Sequence, residues 1–215
     1  MDRPGRIACI SLVATLAVGI PTLAFEYPLS DTAIREAFLT GNANNDEAAQ
    51  LFLKYAHSLP APESGPYVST ISVRTPYEQV AERGATVTNY HAEEAEEEFL
   101  GKAMPFLVRV EIDFTPTYPV YPPVGPDGSH SMLQPLPDYE HDFMIDVIQN
   151  GKLKATATRA YLLTSDTSYN IWGTSGLVIE KQYDPEKIDS SDLTVRVRTP
   201  DGQDVETTFD MGDIK

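Results

Sequence analysis

The sequence FLVRVEIDF, residues 106–114, decides the fold class, because apolar and charged side chains alternate along it after the first pair. Successive side chains of a β-strand point to opposite faces, so the apolar positions of this stretch share one face. The intervening positions from residue 109 onward are all charged. We therefore predict a strand with one buried and one solvent-facing side. The apolar face holds Phe106, Val108, Val110, Ile112 and Phe114.

Further strands are predicted on both sides of this stretch. Asn150-Gly151 suits a tight hairpin turn between two of them, and Pro200-Asp201-Gly202 suits a turn between the last two. Several short strands with turn signals, and no strand-helix alternation, indicate a mainly β fold. We predict an antiparallel β-sandwich, immunoglobulin-like or C2-like, over residues 66–215. Its other strands are predicted at 67–73, 143–148, 153–163, 177–179, 193–198 and 205–209.

Two short helices are predicted before the strands, within residues 29–59. Apolar side chains recur at helical spacing, first around Ile34 and Phe38 and again from Ala48 onward. A glycine follows the first stripe as a stop signal, and Pro60 ends the second. We predict that the two helices form a helical hairpin, a subdomain over residues 25–65.

Two more short helices are predicted inside the strand-rich region. Thr75-Pro76 can begin a helix over residues 77–83, because proline is favoured at the first helical position. Residues 92–99 contain five glutamates between Glu93 and Glu98, and Glu and Ala are good helix formers. We interpret this run as a solvated helix face, and binding of a basic partner is the alternative.

Residues 1–24 have the three-part layout of a secretory signal. Two arginines precede fourteen uncharged residues, and Thr22 and Ala24 are small residues of the kind a signal peptidase requires. We predict cleavage between Ala24 and Phe25, with an uncleaved anchor as the alternative. The apolar run is shorter than the roughly 18–20 residues of a membrane-spanning helix, so no stable membrane insertion is expected after cleavage. The protein is therefore predicted to be secreted or periplasmic.

The mature chain is expected to be acidic and free of cysteine. Cys9 leaves with the signal, which excludes disulfides and thiolate metal sites. Cleavage also removes Asp2, Arg3 and Arg6, which changes the net charge from −16 to −17. Such a surface repels phosphate backbones and anionic headgroups, so nucleic acid is not expected as a partner. The acidity is interpreted as a means of solubility, and a cationic ligand or divalent metal is the alternative.

Three stretches carry a resemblance to a known group of proteins. They are LSDTAIRE at residues 29–36, TPYEQV at residues 75–80 and the TPDG turn at residues 199–202. Together they resemble a set of small exported bacterial proteins of unassigned function. The resemblance covers most of the mature chain and implies the fold described above, and it implies no activity and no catalytic residue.

No sequence motif indicates a particular chemistry. The nearest approach to the nucleophile elbow G-x-S-x-G is Gly173-Thr174-Ser175-Gly176, which lacks that spacing. Neither G-x-x-x-x-G-K-[ST] nor G-x-G-x-x-G occurs, and the four histidines are scattered instead of forming H-E-x-x-H. We therefore expect no cofactor and identify no catalytic residue.

The densest cluster of potential ligands is Asp138-Tyr139-Glu140-His141-Asp142, directly before a predicted strand. On an extended segment Glu140 and Asp142 share one face and His141 lies on the other, so the cluster cannot converge on one ion without a loop. Three interpretations stay open: a solvated strand entrance, a divalent-cation site at Glu140, His141 and Asp142, and an acid/base pair.

A second candidate site is the segment 115–137, which contains seven of the 17 prolines. Proline at this density favours extended backbone that a central strand cannot use, so we predict a long loop. Tyr118 and Tyr121, with Tyr139 just beyond, are its candidate binding residues, because long ordered loops are commonly functional. A passive insertion is the alternative.

The leading hypothesis from sequence is an exported, non-enzymatic binding module that contacts a protein or cell-envelope partner through this loop. The alternative is a carbohydrate- or ester-hydrolysing enzyme whose carboxylates meet only after folding, drawn for example from Asp113, Glu140, Asp142 or Asp146. A structural part of a larger envelope assembly is a third possibility. A polar cleft with facing carboxylates would favour the enzyme.

Overall fold

The computed structural model describes residues 25–43, 45–63, 66–115, 142–164, 174–199, 202 and 204–215. The predicted signal, the proline-rich loop and most of the cluster before residue 143 lie outside these residues. Within the described part the chain is mainly antiparallel sheet, with eight strands in two sheets and four α-helices. The predicted predominance of antiparallel strands is confirmed.

The elements follow one another in a simple order, with one short 3-10 turn at Pro185–Lys187. The helices are α1 (Asp31–Asn42), α2 (Asp46–Lys54), α3 (Pro76–Thr86) and α4 (Ala92–Phe99). The strands are β1 (Ala56–Ser58), β2 (Pro66–Arg74), β3 (Phe106–Phe114), β4 (Met144–Ile148), β5 (Ala157–Thr164), β6 (Thr174–Tyr183), β7 (Leu193–Arg198) and β8 (Asp204–Phe209).

The larger sheet has the strand order β1-β2-β3-β6-β5, and every pairing in it is antiparallel. β3, which holds the stretch that predicted the fold class, lies at its centre. Val110 of β3 is opposite Ile71 of β2 and Ile179 of β6, and all three side chains are fully buried. The apolar face predicted for β3 is therefore a core face, with only Phe114 half-buried at its end.

The smaller sheet has the order β4-β7-β8, again antiparallel. Val147 of β4 pairs with Val195 of β7, and Leu193 of β7 pairs with Phe209 of β8. These buried side chains belong to the same hydrophobic cluster as Val110 of the larger sheet. Both sheets therefore contribute to one core.

The predicted turn at Asn150-Gly151 forms, with positive φ angles of 52° and 136°. The Leu153 amide donates to the Val147 carbonyl at 2.8 Å, so a hairpin begins as predicted. It does not continue, because β5 begins at Ala157 and pairs with β6 in the other sheet. Pairing along the whole of β5 satisfies more backbone groups than the five-residue β4 can offer. The prediction that this hairpin joins two full strands was wrong.

Both predicted N-terminal helices are present, and their packing was not foreseen. α1 packs against α3 and α4 in a second hydrophobic cluster and touches α2 only slightly. α2 is shorter than predicted, because Ala56–Ser58 forms β1 and pairs with β2. The boundary between a subdomain over residues 25–65 and one over 66–215 stays a prediction, and the second cluster draws on both ranges.

The two helices predicted within the strand-rich region are confirmed. The Thr75 hydroxyl accepts a hydrogen bond from the Glu78 amide at 3.2 Å, and Pro76 is the first helical residue of α3. α4 spans the glutamate run, with Ala92 and Ala95 as its buried side. None of the helices in the described residues has the length and apolar character needed to cross a bilayer.

Candidate functional site

Most of the site residues predicted from sequence cannot be placed. Tyr118, Tyr121, Tyr139, Glu140 and His141 lie outside the described residues. The tyrosine loop and the cation site therefore stay predictions.

The remaining predicted carboxylates are spread over the fold. Asp142 is exposed just before β4, Asp146 lies on β4 and Asp113 lies on β3 in the other sheet. Asp146 forms an ion pair with Lys152, at 2.6 Å between Oδ1 and Nζ. In the described part of the chain, no group of three or more His, Cys, Asp or Glu side chains is arranged to hold a metal.

A polar groove that the sequence did not reveal lies where α2 and α3 meet the outer face of the larger sheet. Its cavity volume is about 340 Å³. Strands β2 and β3 supply side chains from the face opposite the core, and α3 supplies carboxylates. The charged residues that line it are Arg74, Glu78, Glu82, Arg109 and Glu111, and we call this cavity the groove.

Arg74 is the centre of one half of the groove. It ends β2, and Glu78 and Glu82 lie four residues apart on one side of α3, as helical spacing dictates. Arg74 Nε donates to Glu78 Oε2 at 3.1 Å, while Arg74 Nη2 contacts the Glu82 carboxylate. The Arg74 side chain is only 12% exposed, so these charges interact in a poorly solvated environment.

Glu78 is the most buried carboxylate of the groove, at 6% exposure. Burial raises the pKa of this carboxyl above its ordinary value, because the charged form loses hydration. The positive charges of Arg74 and Arg109 act in the opposite direction without overcoming burial. The groove therefore contains a carboxyl group that is biased towards its protonated form.

Arg109 is the centre of the other half. Its Nη2 lies 2.9 Å from Glu111 Oε1, and its guanidinium carbon lies 5.9 Å from the centre of the Tyr161 ring. Its Nε is buried and has no hydrogen-bond partner among the described residues. A buried donor without an acceptor costs about 1–3 kcal/mol, so this half of the groove retains an unsatisfied polar group.

Two local signals of the groove were present in the sequence. The charged side of β3 carries Arg109 and Glu111, and α3 carries Glu78 and Glu82 at helical spacing. The sequence did not show that α3 lies beside this side of the sheet. Local patterns do not specify how elements distant in sequence pack together.

Comparison of the chain with protein-family models, with curated proteins and with solved structures finds no match.

Proposed function

We propose that the chain is an exported, non-enzymatic binding domain and that the groove is its ligand site. In this proposal the two sheets form an antiparallel sandwich, immunoglobulin-like or C2-like, with the groove on its outer surface. The observation that carries the proposal is the pairing of charges in the groove. Arg74 holds Glu78 and Glu82, and Arg109 holds Glu111.

Paired charges of this kind suit recognition better than catalysis. A catalytic carboxylate must exchange a proton with its substrate, whereas these carboxylates are already engaged by guanidinium groups. Binding pockets commonly present a few fixed polar groups in a concave surface of about 300–1,000 Å³. The groove, at about 340 Å³, has room for a small molecule or for one unit of a cell-envelope polymer or protein.

The charge balance favours a neutral or cationic ligand. Three carboxylates face two guanidinium groups in the groove, and the whole chain has a net charge of −16. An anion would meet both the local surplus and the overall field. We expect amine-bearing ligands such as amino sugars, amino acids or polyamines to bind best.

Thermal shift measurements against a panel of such amines and matched anionic compounds test this proposal. A ligand at 100 times its Kd stabilises the folded state by about 2.7 kcal/mol, which raises the Tm of a chain of this size by roughly 5–10 °C. Glu111→Gln should remove most of this rise by deleting one carboxylate. Glu97→Gln, an exposed carboxylate of α4, should leave it unchanged. An equal rise in both variants, or a rise with no amine in the panel, would contradict the proposal.

A hydrolase is the second candidate, and the burial of Glu78 favours it. A carboxyl with a raised pKa suits a general acid, and Glu82 or Glu111 supplies the second carboxylate that carbohydrate hydrolysis requires. Chromogenic glycosides and esters test this activity. Turnover that disappears in Glu78→Gln and persists in Glu97→Gln would replace the binding proposal with this one.

The proline-rich segment remains a proposed second contact with a protein or cell-envelope partner. Tyr118→Ala with Tyr121→Ala should weaken capture of cell-envelope material without lowering the Tm. Unchanged capture would end this part of the proposal. The cation site at Glu140, His141 and Asp142 remains a proposal as well, and calcium or manganese titration of a Glu140→Gln variant tests it.

A further inference from the structure

The strand β5 lies at one edge of the larger sheet, and no strand of the described residues pairs with its outer side. It is eight residues long, contains neither proline nor glycine, and has Arg159 as its one charged residue. Such a strand presents a row of unpaired backbone N–H and C=O groups. Another extended chain can bind to such a row.

The other sheet edges in the described part of the chain are protected. β1 is only three residues long. β4 lies against its own turn, where the Leu153 amide bonds to the Val147 carbonyl. β8 carries Asp204 and Glu206. Short strands, covered edges and charged side chains all discourage pairing, so β5 is the edge that lacks these protections.

Apolar side chains are exposed on β5. Tyr161 is 40% exposed and Leu162 is 38% exposed, and as neighbours they point to opposite faces. Leu162 pairs with Leu177 of β6, whose side chain belongs to the core. An added strand would therefore extend the core face over Leu162.

The local charge of this edge is opposite to that of the chain. Residues 151–164 contain Lys152, Lys154 and Arg159 and no carboxylate, in a chain of net charge −16. At physiological ionic strength charges are screened beyond about 8 Å, so a strand docking at β5 responds mainly to these nearby cations. The charge complementarity favours an acidic partner.

We propose that β5 accepts an extended segment of another protein in which apolar and acidic residues alternate. The apolar residues cover Leu162 on the core side, and the acidic residues lie beside Arg159 on the outer side. A second copy of this chain is a poorer occupant, because it would place two basic edges side by side. The site is separate from the groove, which is lined by α2, α3 and the strands at the other end of the sheet.

A fluorescent peptide of four Glu-Val repeats, titrated into the whole protein at about 0.15 M salt, tests the proposal. We expect it to bind at least tenfold more tightly than a matched Lys-Val peptide. Arg159→Glu should weaken binding about fivefold, since it turns an attractive cross-strand pair into a repulsive one. Lys54→Glu makes the same charge change on the exposed side of α2 and should have no effect. Thermal melts confirm that both variants fold.

Amide hydrogen exchange locates the bound peptide. Binding should slow exchange within residues 157–164 and leave β8 unaffected. Unchanged exchange in β5, equal affinity for the two peptides, or equal loss in Arg159→Glu and Lys54→Glu would each overturn the proposal. So would sedimentation showing a dimer with β5 already protected in the absence of peptide, because a second copy would then be the occupant.

Discussion

The backbone of Gly41 in α1 lies directly against the carbonyl group of Ala81 in α3, leaving no room for a Cβ atom. The contact is reciprocal, because a Cβ at Gly84 of α3 would lie 2.7 Å from the carbonyl oxygen of Phe38 in α1. The two glycines allow the helix backbones to touch. This close approach explains why α1 packs on α3 and not mainly on α2, its neighbour in sequence.

Gly41→Ala should destabilise the protein by about 2 kcal/mol, because overpacking against backbone costs roughly 1–3 kcal/mol. The higher helix propensity of alanine, up to about 1 kcal/mol, opposes this effect without cancelling it. Urea denaturation measures the change. Gly212→Ala is the control, since its nearest neighbour at 3.2 Å is an Asp210 side-chain oxygen. An unchanged or higher midpoint for Gly41→Ala would show that the helices can separate at no cost.

Thr75→Val should lower the free energy of unfolding by about 2 kcal/mol. The Thr75 hydroxyl caps α3 by accepting from the Glu78 amide, and it also donates to the Lys215 backbone oxygen at 2.6 Å. Losing a cap costs about 0.5–2 kcal/mol, and the buried Lys215 contact adds to this. Thr86→Val, at an exposed position of α3, is the matched control and should change stability by less than about 0.5 kcal/mol. Equal effects would mean that the cap has no special role.

The stability of Glu78→Gln relative to the native chain should rise with pH. Burial raises the folded-state pKa of Glu78 above its ordinary value of 4.5, so the folded protein binds this proton more tightly than the unfolded chain. The native chain therefore has a stabilising contribution below about pH 4.5 that is lost as pH rises through the raised pKa. Glutamine stays neutral and avoids this loss. Urea titrations from pH 4 to 7 should show a widening gap, and a constant gap would contradict the assignment.

The mature protein should begin at Phe25. Phe25 is buried and stacks on Phe106, with 5.9 Å between ring centroids, so it is held by the core of the larger sheet. Mass spectrometry of the protein recovered from the periplasm or medium of a bacterial host measures the cleavage site. Ala24→Tyr should block cleavage, because the peptidase needs a small residue there. Full-length native protein in the cytosol would contradict the export prediction.

Particular residues show how far sequence patterns reach. The alternation along β3 predicted its buried face, and the Thr75-Pro76 pair predicted where α3 begins. Asn150-Gly151 predicted a tight turn correctly, yet the strand that follows joins the other sheet. The turn depends on the φ angles of two residues, whereas the partner of β5 depends on a strand more than ten residues further along the chain.

The amino-acid order alone determined the elements whose formation is a local matter. Alternation, capping residues and turn dipeptides act within a few residues, through backbone dihedral preferences and the burial of one face. Tertiary packing alone decided that α3 lies beside the charged side of β2 and β3, which brings Arg74, Glu78 and Arg109 into one groove. That arrangement depends on contacts between distant segments, such as Gly41 against Ala81, whose fit is a property of three-dimensional shape.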